Sequence, residues 1–227
     1  MANQKNNKGQ VNVGEVVTQS EAFIIKNRKA IIGGVIGIVL IIGGVLAYKH
    51  LYSDQREEKS QVALFKGEEY FRNENYEAAL NGDSLGYIGF LQVAEQYSGT
   101  KTANLAKAYA GLCYKNLKDY EKAIEYLSSF NGNDQMIAPS ILGAIGNAYA
   151  ELDQPDKAVS FLLKAADKAD NNTLSPLFLK QAGLILVKQT KYDDAVNAYT
   201  KIKENYFQSY QAMDIDKYIE QAKMMKR

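Results

Sequence analysis

The chain contains few of the residue types from which catalytic and metal-binding sites are built. Its 227 residues include one cysteine, Cys113, and one histidine, His50. A single cysteine cannot close an internal disulfide, which argues against a small secreted domain held together by disulfides. One histidine and one cysteine also cannot supply the clustered ligands of a zinc site. We expect Cys113 to be a buried structural thiol and His50 to lie at a membrane boundary.

The motifs of common enzyme classes are absent as well. The sequence has no glycine-rich phosphate loop and no nucleophile elbow. Its formal net charge is +1, from 27 basic and 26 acidic residues. This balance lacks the excess of positive charge that is typical of nucleic-acid-binding domains. We therefore expect a protein that is not an enzyme, needs no cofactor or metal, and does not bind nucleic acid.

What the sequence contains instead is a fourfold pattern of glycine, a bulky residue and alanine. The bulky residue follows the glycine by three positions and the alanine follows it by twelve. The four sets are Gly67/Tyr70/Ala79, Gly111/Tyr114/Ala123, Gly146/Tyr149/Ala158 and Gly183/Leu186/Ala195. Because the glycines are 44, 35 and 37 residues apart, the pattern predicts a helical solenoid.

The clearest repeat predicts two helices that cross closely. The first is expected over about 105–117, the turn at Lys118-Asp119, and the second over about 120–130. Glycine inside a helix costs about 1 kcal/mol relative to alanine, so a glycine at the same place in four helices needs a packing reason. We expect Gly111 and Ala123 to meet where the two helices cross, with Tyr114 beside the crossing.

This pattern resembles the tetratricopeptide repeat, and the resemblance covers about 60–207. The family's small–aromatic–small positions fall on the four glycines, on Tyr70, Tyr114 and Tyr149, and on the four alanines. The sequence departs from the family in lacking tryptophan near the repeat start, in having Leu186 for tyrosine, and in having Phe130 and Ile202 for a later alanine. The resemblance implies an all-α solenoid of four helical hairpins.

The first repeat is longer than the others and is interrupted over 80–90. Asn-Gly at 81–82 is a turn signal, and Asp83 or Ser84 could cap a new helix that runs to about Tyr97. Its inner face would carry Ile88, Leu91 and Ala94. Two interpretations remain open: a broken second helix whose apolar side joins the core, or a protrusion that presents Tyr87 to a partner.

A C-terminal capping helix is expected within 208–227, at about Ser209–Met225, because a solenoid needs a terminal helix with a polar outer side. One face of this segment is apolar, and its residues are Met213, Ile215, Tyr218, Ile219, Ala222 and Met225.

Residues 30–48 form an uncharged apolar run of 19 residues, bracketed by Lys29 and Lys49. That length just spans the hydrocarbon layer of a bilayer, so we expect a single transmembrane anchor followed by a linker over 49–59. A cleaved signal peptide is the alternative, although the run is longer than usual for a signal. Gly33 and Gly37 form a G-x-x-x-G pair, which either packs against another membrane helix or reflects the abundance of glycine in such helices.

The charge of the N-terminal tail favours one orientation in the membrane. The tail, 1–29, holds five basic and two acidic residues, although the bias vanishes close to the membrane, where three basic residues lie within 15 positions on each side of the apolar run. By the positive-inside rule, we expect this tail in the cytoplasm and the repeat domain in the periplasm of a bacterium, with a single pass through the inner membrane.

The resemblance to tetratricopeptide repeats implies a concave binding surface that is lined by the first helices. Transferring the family's usual concave positions selects twelve residues for protein binding: Leu64, Glu68, Phe71, Arg72, Leu112, Lys115, Asn116, Asn147, Glu151, Lys180, Leu184 and Lys188. This mixture of apolar residues and charges of both signs suits a broad surface for extended or partly unfolded chains. The alternative is that these residues only solvate the groove or pack against the capping helix.

The order of a polar tail, an apolar anchor and an array of repeats resembles that of the ancillary subunits of the bacterial Sec translocon. The sequences of residues 79–83 and 100–126 resemble the Bacteroidetes-type members of that family. That resemblance implies contacts with translocon subunits, periplasmic chaperones and newly exported proteins. A second interpretation is a structural scaffold of the cell envelope that acts through membrane-helix pairing and assembly of solenoids. An enzyme or enzyme regulator is a third, and it would need a pocket with converging titratable groups.

Overall fold

A computed structural model describes residues 23–226 of the chain, without the side chains of His50 and Tyr52. Most of the predicted polar tail and the His50 side chain lie outside the described residues. Contacts between Cα atoms divide the chain into two units, Met1–Gln55 and Arg56–Arg227. Every regular element in the part of the chain that the structure describes is helical, which confirms the all-α fold class.

Among the described residues of the first unit, α1, Arg28–Tyr48, is a long apolar helix, and a π-helical turn follows it at Lys49–Ser53. None of the residues of α1 is buried, and the positions of Gly33 and Gly37 have open space around them. The length and composition of α1 are those of a membrane-spanning helix and equally of a signal sequence.

The second unit is a series of helical hairpins. The first helices of the four repeats are α2 (Asp54–Arg72), α5 (Lys101–Asn116), α7 (Ile137–Glu151) and α9 (Ser175–Lys188). The second helices are α3 (Tyr76–Asn81) with α4 (Gly89–Gln96), then α6 (Tyr120–Ser128), α8 (Pro155–Ala169) and α10 (Tyr192–Asn205). A 3-10 helix, Tyr210–Asp214, and α11, Ile215–Met225, follow. The predicted solenoid with its capping helix is therefore confirmed.

The four turns between first and second helices share one hydrogen-bonding motif. The residue seven positions after each repeat glycine has a left-handed backbone, with φ between 54° and 64°; these residues are Glu74, Lys118, Asp153 and Thr190. The next backbone N–H reaches back 2.9 Å to the carbonyl of the repeat's bulky residue, namely Tyr70, Tyr114, Tyr149 or Leu186. This is the Schellman ending of a helix, and here it forms without glycine at the left-handed position.

The repeat glycines lie where the two helices of a hairpin approach most closely. A Cβ at Gly111 would lie 2.6 Å from Leu127 Cγ and 2.9 Å from the Leu127 backbone nitrogen. The nearest neighbour of this position is thus Leu127, one turn beyond the predicted Ala123. In the later repeats, too, the residue 16 positions after the glycine covers it: Leu162 covers Gly146, and Tyr199 covers Gly183.

In the first repeat, a loop over 82–88 divides the second helix into α3 and α4. Gly82 and Gly89 both have positive φ, at 95° and 84°, and their backbones lie against each other at the neck of the loop. The predicted capping role of Asp83 is wrong, because α4 begins at Gly89 with no side-chain cap. Asp83 instead accepts the N–H groups of Leu85 and Tyr87, at 2.8 and 3.0 Å. The loop is therefore held by its own hydrogen bonds.

The interruption joins the core of the repeat domain. Tyr87 is 5% exposed, and its hydroxyl donates to the carbonyl of Ala79 at 2.8 Å, so the interpretation of Tyr87 as an exposed contact is wrong. Phe90, Val93 and Ala94 form the buried face of α4, whereas the expected Ile88 and Leu91 are only partly buried. The broken-helix interpretation is confirmed. Tyr87 and Phe90 together cover Gly67.

The N-terminal part of α2 is fixed to the start of α5. The Glu57 carboxylate accepts the backbone N–H groups of Lys101 and Thr102, at 2.8 and 2.9 Å, and the Thr102 hydroxyl at 2.6 Å. Arg56 donates to the carbonyl of Gln96 at 2.7 Å. Glu57 thus supplies acceptors to N–H groups that have no partner within α5.

The capping segment buries fewer residues than its apolar pattern predicts. Ile215, Ile219 and Ala222 of α11 pack on the last repeat. Met213 is 81% exposed and Met225 is 48% exposed, so their predicted place on the buried face is wrong. Met213 lies in the 3-10 helix, where the spacing of side chains differs from that of an α-helix.

The close approach at Gly111 predicts the effect of a larger residue there. Gly111→Val should lower the free energy of unfolding by about 1–3 kcal/mol, because the added methyl groups overlap Leu127. Ala150→Val, at an exposed position of α7, adds the same β-branched side chain and should change stability by less than about 0.5 kcal/mol. Unfolding of the full chain in detergent, followed by circular dichroism, measures both. Equal stability of the two variants would contradict the close packing.

The Glu57 contacts predict a pH dependence of stability. Burial opposes ionisation of Glu57, but the hydrogen bonds from Thr102 and from the Lys101 and Thr102 backbone outweigh it and lower the pKa of its carboxyl group. Its contribution should be complete above the unfolded pKa of about 4.3 and be lost as pH falls through the lower folded pKa. Glu57→Gln should therefore cost about 0.5–1 kcal/mol at pH 7, and this difference from the unmodified chain should shrink towards pH 3.

Thermal melting at pH 7 and pH 3 tests this dependence. Glu58→Gln, on the same helix but exposed and without these hydrogen bonds, is the matched control and should leave the melting temperature unchanged at both values. If Glu57→Gln lowered the melting temperature more at pH 3 than at pH 7, the expected direction of the pH dependence would be wrong.

Candidate binding surfaces of the repeat array

The first helices hold the twelve predicted binding residues, and the structure removes one of them from any surface. Leu64 is 6% exposed and packs with Phe90 and Val93 in the core of the first repeat. Its selection as a contact for a partner is wrong, because the interruption brings α4 against this side of α2. The other eleven residues are partly buried or exposed.

Three predicted residues of α2 gather around Tyr109 of α5. Phe71 meets the Tyr109 ring edge to face, with centroids 5.4 Å apart, and meets Tyr76 at 5.5 Å. Burial first, and then the neighbouring Glu68 carboxylate, raise the pKa of the Tyr109 hydroxyl to about 12, against the opposing effect of Arg72. These contacts define one patch, formed by Glu68, Phe71 and Arg72. In it, aromatic rings lie beside one negative and one positive charge.

The predicted residues of α5 and α7 form a more loosely organised surface. Leu112 packs partly on the core that contains Ile141 and Ile145, and Lys115 is partly buried. Asn116 donates to the carbonyl of Leu112 at 3.0 Å, within its own helix. Glu151 is exposed and accepts the Tyr120 hydroxyl at 3.4 Å, while Asn147 is partly buried.

In the last repeat, one predicted residue is held by the capping segment. Lys180 Nζ lies 2.9 Å from an Asp214 carboxylate oxygen and 4.2 Å from the centroid of the Tyr218 ring. Burial opposes its charge, but the hydrogen bond to Asp214 and the nearby Tyr218 raise the pKa of Lys180. Leu184, 43% exposed, and Lys188 are accessible on the same helix. The packing interpretation therefore fits Lys180, and the open-surface interpretation fits Leu184 and Lys188.

Two apolar clefts lie between consecutive second helices in the described part of the chain, at places where the sequence predicted no site. The cleft between α6 and α8 has a volume of about 320 Å³ and is lined by Leu127, Phe130, Ile141, Leu142, Ile145 and Phe161, among others. The cleft between α8 and α10 has a volume of about 220 Å³ and is lined by Val159, Leu163, Leu186 and Ala198, with Asp194 and Lys201 at its edge. The signal in the sequence was Phe130, a large ring where the family has alanine.

The lone cysteine has the predicted structural role. Cys113 is fully buried in α5, and burial raises the pKa of its thiol to about 12, so the thiol stays protonated at neutral pH. Within residues 23–226, no group of three or more histidine, cysteine, aspartate and glutamate side chains is arranged to hold a metal ion.

Comparison with known proteins agrees with this geometry. No curated protein matches the chain. The family model of the tetratricopeptide repeat matches residues 110–129 and 139–169, which lie in the second and third hairpins. The chain therefore contains tetratricopeptide repeats, a module that typically serves as a scaffold for protein–protein interaction.

Proposed function

We propose that the chain is a membrane-tethered module that binds other proteins on the exported side of a bacterial inner membrane. In this role it assists the Sec translocon and periplasmic chaperones with newly exported proteins. The observation that carries the proposal is the order of the chain: one apolar helix of 21 residues, followed by an array of tetratricopeptide hairpins. The resemblance to ancillary translocon subunits supplies the partner class.

The accessible residues of the first helices support a broad binding surface. The patch formed by Glu68, Phe71 and Arg72 offers an aromatic side chain between opposite charges. At the other end of the array, Leu184 is exposed beside Lys188. Aromatic and aliphatic anchors flanked by charges suit weak binding of many extended segments better than tight binding of one motif.

The retained anchor is part of the proposal. The array of hairpins would act near the membrane only if α1 stays attached, and the apolar run is longer than the core of a usual signal peptide. The basic tail favours a cytoplasmic N-terminus, and the repeat domain then lies in the periplasm.

A scaffold of the cell envelope is the second candidate function. It is favoured by the G-x-x-x-G pair of Gly33 and Gly37 in α1, since such small residues let two membrane helices approach closely. In that case assembly would depend on α1, and the hairpins would join copies or neighbours without binding clients.

Site-specific photocrosslinking in intact cells tests the first function. A photoreactive amino acid at Phe71 or at Lys188 should form adducts with exported proteins, chaperones or translocon subunits. The same amino acid at Lys217, an exposed position of α11, is the matched control and should give few adducts. If neither position yields more protein than Lys217, and function is instead lost when Gly33 and Gly37 are replaced, the scaffold is the better explanation.

The location of the C-terminus tests the proposed topology. Alkaline phosphatase fused after Arg227 should be active, because that enzyme matures only on the exported side, and the same reporter fused to the N-terminal tail should be inactive. Enzyme activity of intact cells is the measurement. An inactive C-terminal fusion that is expressed at the same level would overturn the role at the exported face.

A further inference from the structure

The cleft between α6 and α8 exists because α6 is short. α6 has 9 residues and ends at Ser128, whereas α8 has 15 residues. The second half of α8 therefore has the chain after Ser129 beside it in place of a neighbouring second helix. The Phe130 ring turns back towards Gly132, where a Cβ would lie 2.5 Å from the ring. The result is an apolar cleft of about 320 Å³, at the lower end of the range for ligand sites.

The walls of this cleft are apolar and its rim on α8 is basic. Phe161 and Ile145 line the interior, and Lys168 lies at the edge. Lys164 Nζ is 5.1 Å from the centroid of the Phe161 ring, and Lys168 Nζ is 3.2 Å from Asn133 Oδ1. The two lysines are one helical turn apart and therefore lie on the same side of α8. Lys168 lines the cleft, and Lys164 lies beside Phe161, which also lines it.

These two lysines have no carboxylate partner among residues 23–226 that the structure describes. The acidic residues closest to them in the sequence are Asp167 and Asp170, and neither forms an ion pair with Lys164 or Lys168. Asp134 accepts the N–H groups at the start of α7, and Glu125 and Asp167 are exposed without an ion pair to either lysine. An occupant that brings acidic groups would therefore complement the charge of the rim.

We propose that this cleft is a docking site for a protein segment with large apolar side chains flanked by acidic residues. The apolar side chains enter the space between Phe130, Ile145 and Phe161. The acidic residues pair with Lys164 and Lys168 at the rim. The site rests on the proposed protein-binding function and adds to it a second surface, between second helices, with a stated preference for charge.

Peptide binding to the full chain in nanodiscs of phosphatidylcholine tests the site. The probe is a fluorescein-labelled peptide of twelve residues that contains two leucines flanked by glutamates. Its counterpart has lysines in place of the glutamates. Fluorescence anisotropy should show the acidic probe binding at least tenfold more tightly than the basic one. K164E/K168E should weaken binding of the acidic probe at least tenfold and reverse the preference between the two probes.

Two further variants separate the cleft from general effects. K201E/K217E makes the same charge change at exposed positions outside the cleft and should alter affinity less than twofold. Ser128→Trp places a large ring at an exposed lining position and should abolish binding of the acidic probe, while the circular dichroism spectrum is unchanged.

Three outcomes would overturn the proposal: no binding of the acidic probe, equal binding of both probes, or binding that survives both K164E/K168E and Ser128→Trp. A change of oligomeric mass in K164E/K168E without peptide binding would assign the cleft to a second copy of the chain. These outcomes do not decide the proposed protein-binding function. Its crosslinks are sought from Phe71 and Lys188, which do not line this cleft.

Discussion

The repeat domain depends on the close approach of two helix backbones within each hairpin. At Gly111, Gly146 and Gly183, the residue sixteen positions later, Leu127, Leu162 or Tyr199, lies where a Cβ would otherwise be. Each glycine destabilises its helix by about 1 kcal/mol relative to alanine, and the dispersion contacts of a tightly packed crossing offset that cost. Once the hairpins are fixed in this way, the side chains of each first helix and the gaps between second helices have defined positions.

The first repeat meets the same constraint with different residues. Its second helix is interrupted, and the loop places Tyr87 and α4 places Phe90 over Gly67. Asp83 accepts hydrogen bonds from the Tyr70 hydroxyl and from the loop backbone, and it forms an ion pair with Lys66 at 3.1 Å. The inserted residues therefore preserve the packing of the hairpin instead of projecting from it, and they also bury Leu64, which regular repeat geometry would have left on a surface.

The surfaces of the array differ in what they offer a partner. The first helices carry a patch of Glu68, Phe71 and Arg72 at one end and the exposed Leu184 and Lys188 at the other. Part of the predicted surface is occupied internally, because Lys180 is bound by Asp214 and Tyr218 of the capping segment. Between second helices, beside the short α6, lies an apolar cleft with Lys168 at its edge. A binding protein with this array thus has two chemically distinct surfaces.

The sequence by itself determined the helical hairpins, the apolar helix and the burial of Cys113, because periodicity and composition report local structure and hydrophobic burial directly. It could not determine the left-handed backbone at Glu74, Lys118, Asp153 and Thr190, since none of these residue types demands that conformation; the Schellman hydrogen bonds impose it. Nor could it show that Leu64 is covered, that Lys180 is paired, or that the gap beside Phe130 stays open. Those outcomes depend on which helices meet in space, and only the tertiary structure decided them.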